Sequence, residues 1–345
     1  MEFMSRAMIL TRFGPNGITQ YAPSYDGLGT ITDDTQMTLF TAEGLLRAYV
    51  RWASRGICHA PSVVAGAYLR WLLTQEERPN EQFEDSGVRC NGWLIQQPLL
   101  HKRRAPGNTC LSALHALKIM DSLGTPAKND SKGCGGAMRV APAGLAAWSA
   151  SGYKVQRVFN MGIDLAAITH GHPTGQFPAG VLAVLILALT DGASLQEGLF
   201  TAKALLGEKE QHEETLRAIE AAEELACSSL PPYEAIAKLG QGWIAEEALA
   251  ISIYCALTAH TFQEGVLMAV NHDGDSDSTG SISGNLLGAM HGVDAIPALW
   301  LEPLELREVI SEIAEDLYAY WEWDIGEYSK DREFHERIWR KYPGS

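Results

Sequence analysis

Between residues 35 and 320 apolar side chains recur at helical spacing almost without interruption, and strand-like alternation is nearly absent. The pattern predicts helices over 35–54, 62–74, 112–121, 155–170, 179–190, 196–206, 213–227, 245–258, 262–270, 284–291 and 303–320. A chain patterned this way buries its core by packing helix on helix, so the fold class is all-α. The most apolar run, residues 177–189, spans 13 residues, includes a proline and a glycine, and falls short of the roughly 20 that a membrane span needs. It reads as a buried core helix. No Pro/Gly/Ser-rich linker divides the chain and no solenoid-length repeat appears, so residues 1–345 are expected to form a single domain, with 324–345 as a charged, aromatic surface tail.

Charge and cysteine usage exclude several functions. With 42 acidic against 27 basic residues and a formal charge of −15, a general binder of nucleic-acid backbones is not expected. Six widely spaced cysteines contain no C-x-x-C pair, a pattern of reduced thiols rather than of a disulfide framework or a zinc site. The start, Met1-Glu2-Phe3-Met4-Ser5, carries no signal pattern, which sets the cytoplasm as the expected location and a membrane as an unexpected partner.

Two acidic clusters interrupt the helical pattern, each at a helix start. His272-Asp273-Gly274-Asp275-Ser276-Asp277-Ser278-Thr279-Gly280 places three carboxylates on alternate positions, and Thr32-Asp33-Asp34-Thr35 opens the apolar run that begins at Met37. Hard oxygen donors of this kind suit Mg²⁺, Mn²⁺ or Ca²⁺. An EF-hand does not fit, because its turn glycine would fall on Ser278 and its bidentate glutamate on Gly284. Helix capping alone accounts equally well for either cluster taken singly. Two such clusters, one near each end of the chain, are what a two-metal site requires.

Three loops offer ligand contacts. In 129–139 the residues Ser131, Lys132, Gly133, Cys134, Gly135 and Gly136 form a glycine-rich turn able to present amides to an anion, although it lacks the Walker A spacing. A helix C-cap and turn is the alternative for it. In 169–175, His170 and His172 flank Gly171, where capping is the commoner role. In 240–243, Trp243 follows a glycine pair and either stacks on a ligand ring or packs in the core.

Taken in order, Thr32-Asp33-Asp34-Thr35-Gln36-Met37, Gly133-Cys134-Gly135-Gly136-Ala137-Met138-Arg139, Thr169-His170-Gly171-His172-Pro173-Thr174-Gly175, Trp243 with Glu246-Glu247-Ala248-Leu249, and Gly274-Asp275-Ser276-Asp277-Ser278-Thr279-Gly280 resemble the ADP-ribosylglycohydrolase family across nearly the whole chain. The resemblance implies a single-domain orthogonal helical bundle with two Mg²⁺ or Mn²⁺ ions held by Thr32, Asp33, Asp34, Asp275, Asp277 and Ser278. It implies that the loop from Ser131 to Gly136 holds ADP-ribose phosphates, helped by Lys132 and Arg139, and that His170 and Trp243 contact the ligand. Glu2 matches the family's glutamate beside the metals. The family's preceding Gly-Asp-Ala-Leu-Gly helix has no counterpart before it here, so Glu2 is expected at a terminus.

The implied reaction is hydrolysis of ADP-ribose from a modified protein. Ser278 and His172-Pro173-Thr174-Gly175 resemble the branch that cleaves the N-glycosidic bond to arginine, reversing mono-ADP-ribosylation. Glu2, Asp33 and Asp34 are the candidate catalytic carboxylates. The alternatives are a hydrolase of serine-linked, O-acetyl or polymeric ADP-ribose, or an inactive member that binds ADP-ribose or a partner.

Overall fold

The computed structural model describes residues 2–25, 27–75, 90–117, 126–146 and 154–344. Among these the fold is all-α, with only two isolated bridge pairs, Ser24 with Gly27 and Gly133 with Ile244. The centre is α7 (Pro173–Thr190). Its Pro173 sits at the first helical position, where the missing amide costs nothing, and the side chain of His172 accepts from the Thr174 amide. By length and apolarity this helix would suffice to cross a membrane, but 83% of it is buried inside the protein, as expected of a core helix. It is packed by α6 (Lys154–Ala167), α8 (Leu195–Gly207), α11 (Ala245–Thr258) and the short α5 (Ala141–Leu145). Helices α6 and α7 cross closely because Gly162 has no side chain: a Cβ there would lie 2.6 Å from the Ala179 carbonyl oxygen.

Around this centre lie α2 (Asp33–Arg55) against α3 (Ala60–Thr74), α9 (Glu213–Ala226) against α11, and α12 (Phe262–Val270) against α13 (Ser276–His291). The periodic pattern located these elements, and α2 ends on Gly56, with φ 71° and its amide bonded to the Trp52 carbonyl. Two differences matter. Helix α13 starts at Ser276 rather than near residue 284, so Asp277 and Ser278 occupy its first turn. The tail, expected at the surface as a helix or arm, carries a helix and is anchored at its end: α16 (Arg332–Lys341) is followed by Tyr342, fully buried, whose hydroxyl bonds Asp316. The helix predicted over 112–121 is α4 (Asn108–Ala116), and residues 118–121 of that prediction lie outside the described residues. All six cysteines are free.

Candidate metal centre and ligand cleft

Helices α2 and α13 bring the two acidic clusters together. Ligand oxygens of Asp33, Asp34 and Asp277 lie within 4.8 Å of one another, and so do those of Glu2, Asp275 and Asp277. Asp277 is common to both groups, so five carboxylates from three parts of the chain form one centre. Each is positioned by its backbone. The Asp33 amide donates to the Arg104 carbonyl at 3.0 Å, and Thr32 Oγ1 donates to Asp34 Oδ2 at 3.1 Å. On the other side, Gly274 (φ 113°) and Gly242 (φ 81°) let the 240–243 loop dock on the acidic turn, where the Asp275 amide donates to the Gln241 carbonyl at 2.8 Å. A Cβ on Gly274 would fall 2.1 Å from that carbonyl oxygen.

Helix capping and ligand geometry coexist here. Asp275 is the N-cap of α13, accepting from the Ser278 amide through Oδ1 at 3.3 Å. Thr32 makes no such cap at α2. Burial and mutual repulsion raise four of these acids. Asp33 and Asp34 are raised well above the usual carboxylate range by burial and then by Asp277. Asp275 is pushed up to about 7 by burial and then by Asp277, and Glu2 to about 8 by burial, Asp277 and Asp275. Asp34 Oδ1 and Asp277 Oδ1 are buried without any hydrogen-bond partner among the described residues. Two buried, unpartnered carboxylate oxygens in one all-oxygen cluster fit a hard divalent cation.

The glycine-rich loop runs beside this centre as a single 3₁₀ turn over Cys134–Gly136, its Lys132 carbonyl accepting from the Ala245 amide at 2.8 Å at the start of α11. None of its glycines takes a positive φ. They serve close packing instead: a Cβ on Gly135 would lie 2.9 Å from Cys110 Sγ, and one on Gly136 2.8 Å from Ala166 Cβ. Ser131 Oγ accepts from the Gly133 amide at 3.2 Å.

The sequence profile of the ADP-ribosylglycohydrolase family matches residues 1–325. The chain belongs to this family. It is 25% identical over 313 residues to the ADP-ribosyl-[dinitrogen reductase] glycohydrolase of Rhodospirillum rubrum, covering 89% of this chain and 85% of that protein. It is 27% identical over 221 residues to the human ADP-ribosylhydrolase ARH3, covering 56% of this chain and 59% of that one. Among solved structures, an ADP-ribosylglycohydrolase-related protein complex superposes with a TM-score of 0.56 at 26% identity, over 84% of this chain and 82% of that one.

The other residues expected to contact a ligand sit in different settings around this centre. His170 is buried behind the loop, its Nδ1 bonded to Thr169 Oγ1 at 2.8 Å, and burial with the nearby Arg139 lowers it to about 3, so it stays neutral. Lys132 and Arg139 do not present loose charge to the cleft. Lys132 Nζ donates to Glu214 Oε2 at 2.7 Å, while Arg139 is fully buried, donating to Thr169 Oγ1 at 2.7 Å and lying 4.1 Å from the centre of the Tyr68 ring. Trp243 is not a core residue. It is 39% exposed and stacked on Phe3, with ring centroids 5.9 Å apart and planes 19° from parallel. Glu2, next to Phe3, reaches Asp275 and Asp277.

Some residues that build the site were given no individual role by the sequence. Asn129 clasps the two loops, its Oδ1 accepting from the Ser131 and Gly171 amides and its Nδ2 donating to the Thr169 carbonyl. Glu247 Oε2 accepts from the Gln241 and Gly242 amides, while Glu246 is pushed up to about 7 by burial and leaves Oε2 unpartnered. Tyr25 takes a left-handed φ of 50° at a turn closed by Ser24 and Gly27, which holds its ring over the Arg104 guanidinium at 4.5 Å. Only the left-handed conformation, strained for a tyrosine, marks it, and that is invisible in sequence.

Proposed function

We propose that this chain is a metal-dependent hydrolase that removes ADP-ribose from modified proteins, cleaving the N-glycosidic bond to arginine. The observation that carries the reading is the five-carboxylate centre with its two buried, unpartnered oxygens, within a family that is hydrolytic. Asp33, Asp34 and Thr32 on one side and Asp275, Asp277 and Ser278 on the other would hold two divalent ions, Mg²⁺ or Mn²⁺. Such ions, when bound, supply positive charge that orients ribose hydroxyls and lowers the pKa of an attacking water.

The chain's own residues do the rest. The loop from Ser131 to Gly136 lies beside the carboxylates and would take the phosphates through backbone amides, since its lysine and the neighbouring arginine are engaged elsewhere. Trp243 offers a ring to a ligand once Phe3 moves off it. Of the three candidate acids, Asp33 and Asp34 are enclosed, whereas Glu2 is half-buried and pushed up to about 8. Glu2 is the candidate to deliver a proton to the departing guanidine nitrogen as the bond from that nitrogen to the anomeric carbon of the distal ribose breaks.

Arginine as the linkage rests on Ser278 and on His172-Pro173-Thr174-Gly175. The test is mass-spectrometric release of free ADP-ribose from arginine-, serine- and polymer-linked substrates, with and without EDTA. Fast release from the arginine-linked substrate alone, abolished by EDTA, supports the proposal. Equal or faster release from serine-linked or polymeric substrate would overturn the linkage, and release indifferent to EDTA would overturn the metal.

A further inference from the structure

The thiol of Cys134 touches the metal centre from behind. Cys134 is buried in the 3₁₀ turn of the glycine-rich loop, and its Sγ lies 2.8 Å from Asp275 Oδ2 and 3.4 Å from Ser278 Oγ. Asp275 Oδ1 is meanwhile engaged by the Ser278 amide at 3.3 Å. Both oxygens of this carboxylate are thus gripped, one by its own helix and one by a loop 141 positions away. Ser278 Oγ leans in turn on the Met138 sulfur at 3.7 Å, so the second acidic cluster has a wall of sulfur at its back. Two anions could not share a buried contact as close as that between Sγ and Oδ2, so a proton lies between them. In that contact the thiol donates and Asp275 Oδ2 accepts.

We infer that Cys134 is a positioning residue for the metal ligand Asp275, its S–H fixing the carboxylate plane that a divalent cation would meet. Its role in the cleft is then a side-chain one, distinct from the backbone contact to phosphate that its place in the loop suggests. The alternatives fail on the same geometry. A nucleophile needs a thiolate in an electropositive, open setting, and this thiol is enclosed against acids. Partners that orient a ligand from outside the coordination shell typically matter 10- to 100-fold for metal affinity, so the effect is measurable.

The inference rests on the metal reading above, and the experiment separates the two. Mg²⁺ and Mn²⁺ are titrated calorimetrically into chelator-stripped wild type, Cys134→Ser, Cys134→Ala and Cys134→Val, each checked for folding by thermal unfolding in EDTA. Alanine and valine both remove the donor at different volumes, so the inference stays testable if one of them misfolds. The expected result is affinity weakened about 10- to 100-fold in the donor-free variants and restored to within a few-fold by serine. Wild-type affinity in a folded donor-free variant would overturn the inference while leaving the metal site standing. So would a folded Cys134→Ser as weak as Cys134→Ala, because sulfur's size rather than its proton would then matter. A thiolate-to-cadmium ultraviolet absorption band on Cd²⁺ loading of the wild type, lost in Cys134→Ala, would make the residue a ligand instead and overturn it too. No divalent-cation binding by the wild type would overturn both readings together.

Discussion

Helix α2 buries charge in two places and treats it in opposite ways. Three turns into the helix Glu43 is fully buried, with Oε1 accepting from Arg47 at 3.2 Å and Oε2 from Arg70 at 2.8 Å. Arg47 is satisfied further by the Asn91 side chain and by the carbonyls of Asn91 and Pro343, which ties the end of the chain to the core. At the helix start Asp33 and Asp34 are as deeply buried, yet they face Asp277, and Asp34 Oδ1 and Asp277 Oδ1 are left without a partner. One cluster is complete within the chain. The other keeps buried carboxylate oxygens unpartnered, and that difference separates a structural ion network from a candidate functional one.

The paired cluster should be the more sensitive to mutation. Glu43→Gln leaves two buried guanidiniums without their counter-charge and is expected to cost about 3 to 5 kcal/mol, read as a lower urea midpoint at unchanged slope. The folded fraction should still respond to Mg²⁺. A loss under about 1 kcal/mol would break the comparison, since Glu43 would then be no better partnered than the acidic centre.

Asp34→Asn should act in the opposite sense. In chelator-stripped protein at pH 8 it removes one of the repelling charges and is expected to raise the unfolding temperature above that of wild type, while abolishing the gain that Mg²⁺ confers. A stripped Asp34→Asn protein that melts below wild type would show that the carboxylate is stabilising in itself.

The two clusters were unequally legible in the sequence. Asp33-Asp34 and Asp275-x-Asp277 stand out because adjacent carboxylates at helix starts are a local pattern, and their pairing across 241 positions follows from there being two of them. Glu43 and Arg47 look instead like an ordinary surface pair one turn apart. Their burial depends on Arg70 and on the Pro343 carbonyl, 296 positions from Arg47, which no local pattern announces. The same limit hid the first turns of α13, where Ser, Asp, Thr and Gly are poor helix formers held by the Asp275 cap and by contact with α12. The loop glycines were legible as a feature but not in their reason, because what a missing Cβ makes room for, Cys110 or Ala166, comes from elsewhere in the chain.

A smaller effect is expected at the rim, where neither kind of charge is involved. Phe3→Ala removes the stack on Trp243 and should cost only about 0.5 to 1.5 kcal/mol in thermal unfolding, without changing the Mg²⁺ response. If the Mg²⁺ response were lost as well, the aromatic contact would be what holds Glu2 beside Asp275 and Asp277, and the centre would extend to the rim.

The most direct measurement is thermal unfolding of chelator-stripped protein from pH 5 to 8.5, with and without saturating Mg²⁺ or Mn²⁺. In the folded chain Asp275 and Glu2 are raised from ordinary values of 3.8 and 4.5 to about 7 and about 8. An acid raised in the fold contributes its stability below its unfolded pKa and loses it as pH climbs through the folded value. The stripped protein is therefore expected to lose stability from near pH 5 through pH 8, and the divalent ion to restore it, with the largest gain at the alkaline end. A stripped protein whose unfolding temperature is level across that range, and which neither Mg²⁺ nor Mn²⁺ raises at pH 8, would contradict the claim that the unpaired carboxylates of α2 and α13 await a cation.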